Sequence, residues 1–147
     1  MFNIFKKKPR VIPPFMDLTY SEIKDKYFFR LAQWDWLDSQ MIHVFDNNQP
    51  RMITMDPWPQ LIYLAADGQM TVSEYVYHMA GNYSKRQSIP EELDSTILEM
   101  IDSLLNDNLI SLKDKPSVLP YYIDLPVNKQ DKEKAKDLMI QDGFIKE

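Results

Sequence analysis

Side-chain catalysis needs a nucleophile, a matched acid and base, or metal ligands at a workable spacing. The 147-residue chain offers two histidines, His43 and His78, three glycines, Gly68, Gly81 and Gly143, and no cysteine. Without cysteine there are no thiol nucleophiles, disulfides or thiolate-bound zinc. Neither histidine stands at a metal-motif spacing from another histidine or a carboxylate, so each reads as a structural or surface residue. None of the glycines belongs to a GxGxxG or GxxxxGK loop, which removes those two phosphate cradles. The paired carboxylates Glu91 and Glu92 fall in the first turn of a helical pattern, where the helix dipole accounts for them. The expectation is a protein that is not an enzyme and carries no cofactor and no metal.

The elements that would position any binding residues are easier to read. A formal charge of −5 and 44% apolar residues fit one compact domain with a usable core. No run approaches the ~18–20 apolar residues of a membrane span, and the apolar part of MFNIFKKKPR is too short for a signal peptide. With no cysteine, the default reading is cytoplasmic. Residues 1–18 combine Lys6, Lys7, Lys8 and Arg10 with Pro9, Pro13 and Pro14, a lead-in that cannot form one continuous helix. It reads as a frayed terminus or a strap over the domain, with weak contact to an anionic membrane as the sharper alternative.

Residues 19–37 carry both periods. Thr19 and Glu22 resemble a capping box, with Ile23, Tyr27, Leu31 and Trp34 at helical spacing, while Phe28, Ala32, Trp34 and Trp36 alternate as in a strand. A short helix over 20–26 followed by a strand is the favoured reading. MIHVFD and RMITMD, joined by Asn47, Asn48, Gln49 and Pro50, predict a hairpin. Asp56 ahead of Pro57 predicts a helix to about 66, stopped at Asp67 and Gly68. Thr71 and Glu74 form a capping box for a helix ending at Gly81 and Asn82. Leu93, Ile97, Met100, Ile101 and Leu104 mark a third helix from about Pro90 to 106–108. A short strand over 109–112, a turn at KDKP and an extended return over SVLPYYIDL would form a wing, and 131–141 reads as a final helix stopped at Gly143.

Together these elements make an α+β fold, a winged-helix-like three-helix core with an N-terminal antiparallel β-meander or hairpin and an extra C-terminal helix. LIYLAADGQMTVSEYVYHM and TILEMIDSLLNDNLISL carry a narrower likeness, an apolar helix, Asp-Gly, a Thr-Val helix start and a third helix closing on an apolar strand. Over residues 41–112 the chain resembles the PqqD-like family, peptide-carrying proteins of pyrroloquinoline quinone biosynthesis whose relatives recognise ribosomally made peptides. The domain would then span 19–115, with 116–147 as an extension whose helix packs on it. The N-terminal lead-in and this extension depart from the compact family members and could cover the family's binding surface.

The resemblance implies a leader peptide added as an extra strand beside the hairpin, lying toward the third helix. The physics is strand addition at an edge that offers unpaired N–H and C=O groups. Residues 51–55 are the matching strand, with Arg51, Ile53 and Met55 on one face. On the helix, Leu98 and Leu105 widen the apolar arc to roughly 160°, with Asp94 and Asp102 alongside. Leu98 and Leu105 form either a groove wall or core covered by 116–147. On this reading Ile53→Pro removes an edge donor, and the partner is a peptide or a peptide-modifying enzyme. Nucleic acid is the weaker partner, because residues 91–107 hold six acidic and no basic side chains where a recognition helix needs Lys or Arg. A winged-helix regulator using Lys85, Arg86, Lys113 and Lys115, and an accessory subunit of a protein complex, are the alternatives.

Overall fold

The computed structural model describes residues 11–46 and 51–146. They form a mixed α+β fold with two three-stranded antiparallel sheets. Sheet A has the order β5-β1-β6, from β5 (Asp67–Thr71), β1 (Tyr27–Arg30) and β6 (Ile110–Lys113). Sheet B has the order β2-β3-β4, from β2 (Trp34–Trp36), β3 (Ile42–Asp46) and β4 (Arg51–Thr54). The helices are α1 (Met16–Thr19), α2 (Pro57–Ala65), α3 (Val72–Gly81), α4 (Leu93–Asn106), α5 (Tyr121–Asp124) and α6 (Lys132–Gln141).

Local chemistry sets most of these boundaries. The hairpin forms as the β-branched runs predict, with Val44 opposite Ile53 and Asp46 opposite Arg51; its turn, 47–50, lies outside the described residues, as do residues 1–10. Pro57 opens α2, although the Asp56 side chain makes no cap hydrogen bond. α3 starts on a complete capping box, the Glu74 amide donating to Thr71 Oγ1 at 3.1 Å and the Thr71 amide to Glu74 Oε1 at 3.2 Å. α4 begins at Leu93, three residues after Pro90, and ends where Asn108 takes φ 57. The Asn108 and Leu109 amides then donate to the Leu105 and Leu104 carbonyls at 3.1 and 3.0 Å, a Schellman closure that turns the chain straight into β6. Gly143 (φ 75) closes α6 the same way, with its amide on Ile140 and that of Phe144 on Met139.

Three expectations are corrected. The first helix lies at Met16–Thr19 rather than 20–26, because Phe15 and Leu18 are the buried anchors. Thr19 Oγ1 donates back to the Phe15 carbonyl, so there is no capping box with Glu22. Second, Asp67 and Gly68 do more than stop α2, since they open strand β5 against β1. Third, the predicted wing return is absent: 114–120 contains no strand and Tyr121–Asp124 is helical. Pro116 and Pro120 remove two ladder donors there, and β1 fills the place beside β6.

The main core buries Phe28 on one face of sheet A with Ile62, Val72, Tyr75, Val76, Ile97, Ile101 and Ile110. On the other face Phe29 packs with Leu119, Tyr122, Ile123 and Ala135 in a second, smaller cluster. Arg30 joins the two. It is 5% exposed, and its Nη1 donates to the carbonyls of Tyr63, Leu64 and Ala66 at 3.0–3.5 Å. Its Nε and Nη2 reach the carbonyls of Ile123 and Asp124 at 3.3 and 2.9 Å. Trp34 Nε1 also donates to Ile123, at 2.9 Å. The C-terminal segment crosses β5 where the Ser117 amide donates to the Gly68 carbonyl at 2.9 Å.

A Cβ on Gly68 would lie 2.4 Å from the Ser117 carbonyl oxygen, at φ +80. Gly68→Ala is therefore expected to lower stability by about 2–4 kcal/mol in urea titrations. Alkali should also destabilise the fold. Burial pushes the Tyr75 hydroxyl from 10.0 up to about 12, and burial raises Tyr63 as well, against the opposing pull of Arg30. An acid whose folded-state value is raised stabilises fully below its unfolded value and loses that contribution as pH rises through the folded one. Stability should fall between pH 10 and about 12, and Tyr75→Phe should lessen the fall.

Candidate functional site

The site residues chosen from sequence fall on two elements, β4 and α4. β4 is an outer strand of sheet B, paired to β3 through His43 with Thr54, Val44 with Ile53, Phe45 with Met52 and Asp46 with Arg51. The other outer strand, β2, lies against the turn over Val127–Lys129.

Backbone direction in an antiparallel pair alternates along the strand. The Met55 amide donates to the Ile42 carbonyl at 3.1 Å, and that of Phe45 to Gln33 on the opposite side, at 2.9 Å. Ile42, Val44 and Asp46 thus turn their backbone groups toward β4, and Met55, Ile53 and Arg51 turn theirs back toward β3. Met52 and Thr54 direct N–H and C=O outward. Side chains follow the pairing: Ile53 shares the core face with buried Val44, while Met52 shares the outer face with Phe45.

This register corrects the choice of edge donor. The Ile53 amide points into the hairpin at Val44, so Ile53→Pro would break the ladder between β3 and β4 and leave the open edge untouched. Met52 and Thr54 were missed because the alternation of apolar residues marks which side chains are inward. Backbone direction follows instead from the pairing register, which depends on the turn.

Arg51, Ile53 and Met55 do share a face, as expected, but unequally. Arg51 is exposed, and its Nε donates to Asp46 Oδ2 at 2.8 Å across the hairpin. Ile53 is half-buried against the core. Met55 is 5% exposed and belongs to the core, so it offers nothing to a ligand.

On α4, Asp94 is buried and its Oδ2 accepts the Leu18 amide at 3.0 Å. It is occupied by the chain's own N-terminal segment, at the floor of a cleft between that segment and the start of α4. Asp102 is exposed. Leu98 and Leu105 are half-buried and pack against the main core. The extension over 116–146 builds its separate cluster on Phe29. α4 packs chiefly against α1, α2, α3 and β6, and β4 against β3.

Of the basic groups named for nucleic acid, Lys85, Arg86 and Lys115 are exposed, and Lys113, also exposed, has its Nζ 4.5 Å from the centre of the Phe29 ring; Lys26 nearby pairs with Asp114. His43 lies on the outer face of sheet B, its ring 5.4 Å from that of Phe45, and His78 is exposed in the last turn of α3. Among the described residues, no group of three or more His, Asp or Glu side chains is placed to hold a metal, and no helix is long and apolar enough to cross a membrane. Set against protein-family models, curated proteins and solved structures, the chain has no significant match.

The two hairpin methionines test this division. Met55→Ala should cost about 2–4 kcal/mol as a core truncation, whereas Met52→Ala should change stability by no more than about 0.5 kcal/mol; both are read from urea midpoints.

Proposed function

We propose that the chain is a non-catalytic adaptor that takes an extended peptide or protein segment as an additional strand along β4. The observation that carries this reading is the outward direction of the Met52 and Thr54 backbone groups on an outer strand of sheet B. A paired strand would satisfy up to four such groups, and main-chain hydrogen bonds of this kind supply affinity while side-chain contacts supply specificity. Exposed Met52, beside Phe45 on the outer face, gives an adaptable apolar contact for alternate residues of the ligand. Arg51 and Ile53 border the same edge on the other face.

The likeness to the PqqD-like family points the same way, since that family's peptide adds beside the hairpin. The winged-helix description belongs to this reading too: three helices, α2, α3 and α4, are followed by one strand, β6, where a winged helix has a hairpin. Asp102, Leu98 and Leu105 stay in the proposal as a flanking surface on α4. Asp94 and Met55 drop out of it.

Met52→Pro removes an outward N–H and leaves the ladder to β3 intact, an arrangement in which an edge strand tolerates proline. Peptides selected from a random library on the intact chain should bind folded Met52→Pro at least about tenfold more weakly, a loss of about 1.4 kcal/mol. The same peptides should slow hydrogen exchange at the Met52 and Thr54 amides. Equal binding to the folded variant would overturn strand addition at β4. Recovery of nucleic acid whose binding weakens with salt would favour the regulator instead.

A further inference from the structure

A second surface, independent of β4, lies on α4 beneath residues 15–18. This segment lies against α4 and is held there by two buried side chains. Phe15 and Leu18 are 1% and 3% exposed, while Val11, Ile12, Met16 and Tyr20 around them are exposed. The Phe15 ring meets that of Tyr77 edge-on, with centroids 5.6 Å apart. Open clefts of about 450 and 490 Å³ flank the segment, one along Pro13–Asp17 and α4 and the other between 11–14 and the loop over 85–89. The strap is therefore anchored in the main core by Phe15 and Leu18, while the residues between and around them face solvent and the two clefts.

Two features separate this arrangement from ordinary packing of a terminus. Phe15 sits at φ 46 and ψ 62, a left-handed conformation that bulky side chains rarely adopt and that persists only when the surroundings impose it. Asp94 is a charged residue, 3% exposed, on a helix otherwise anchored by leucine and isoleucine. Among the described residues its hydrogen-bond partner is the Leu18 amide. A buried carboxylate is unfavourable unless its hydrogen bonds are made, so this position is suited to receiving a main-chain N–H. An aliphatic residue there would hold the strap by packing alone.

We propose that the surface beneath the strap is a recognition socket for a single helical turn of the form aromatic-x-x-leucine, occupied in this structure by the chain's own Phe15–Leu18. The apolar sockets read the two side chains, and Asp94 reads the backbone amide of the leucine. Such a turn from elsewhere competes for the socket when the strap lifts off. Lifting breaks the hydrogen bond from the Leu18 amide to Asp94 and the Phe15–Tyr77 ring contact and exposes two side chains, partly offset by release of the Phe15 backbone strain.

The probe is a synthetic, fluorescein-labelled peptide of residues 11–20. A full-length chain carrying Phe15→Ala and Leu18→Ala has its own ligand disabled and should bind the peptide saturably, at least about tenfold more tightly than the unmodified chain. Adding Asp94→Ala to that variant should weaken binding about tenfold or more. A peptide with both anchors replaced by alanine should not bind. A folded double variant that fails to bind the labelled peptide would overturn the proposal.

Should the double variant not fold, hydrogen exchange on the unmodified protein decides. A displaceable strap exposes the Leu18 amide at least about tenfold faster than the Arg30 amide, which is held by the Ala66 carbonyl at 2.8 Å in sheet A. Exchange of both amides at one common rate set by global unfolding would overturn the proposal as well.

Discussion

The buried Arg30 guanidinium is the group on which the arrangement of the rest depends. It projects from the central strand of sheet A into a space where the ends of α2 and α5 both present carbonyl oxygens with capacity to accept further donors. One rigid, planar cation with five donors can serve two such ends at once, which a lysine ammonium cannot do with the same geometry. Burial disfavours the charged form of Arg30, an effect opposed by the neighbouring Asp124 and Asp67 carboxylates. The guanidinium also lies 5.5 Å from the centre of the Trp34 ring, so sheets A and B and the C-terminal segment meet around one side chain.

How much of this was legible in the sequence follows from how local each signal is. Thr71 and Glu74 are three residues apart and report a helix start without help from the rest of the chain. The hairpin runs and the glycine after α6 are legible for the same reason. Arg30 was not legible: in FFRLAQW an arginine next to aromatic residues reads as a solvent-facing group. Its carbonyl partners lie more than 30 and more than 90 residues away. Strand β5 was hidden because Asp67 and Gly68 carry the strongest local stop signal, and only pairing with β1 makes them a strand. The expected wing return failed because two prolines and the pull of Arg30 on α5 outweighed the apolar pattern of SVLPYYIDL. At the candidate site, the strand and its inward side chains were legible. The outward backbone positions and the burial of Asp94 and Met55 depend on tertiary register and were not.

The two surfaces proposed for binding differ in their physics. β4 presents main-chain groups, and its shortness and the exposed charge of Arg51 are the features that keep such an edge from pairing indiscriminately. The α4 surface presents apolar sockets and one carboxylate, already filled from within. An unpaired edge discriminates weakly among sequences, while a socket shaped to two side chains discriminates strongly. An adaptor carrying both can hold many extended segments and still tell apart those that bring a matching turn.

Sheet A also constrains the order of assembly. Its middle strand, β1, precedes both of its partners in the chain, and these begin at Asp67 and Ile110. Sheet B closes through short connections, and its contacts are local in sequence. Chains pay loop-closure entropy before distant pairings form, so local contacts form first. During synthesis, the hairpin would be complete while β1, with its buried phenylalanine and arginine, still waited for the strand that follows α4. Until then the run 27–30 has one side of its backbone without its partner, which Leu109 supplies by leading β6 out of the end of α4.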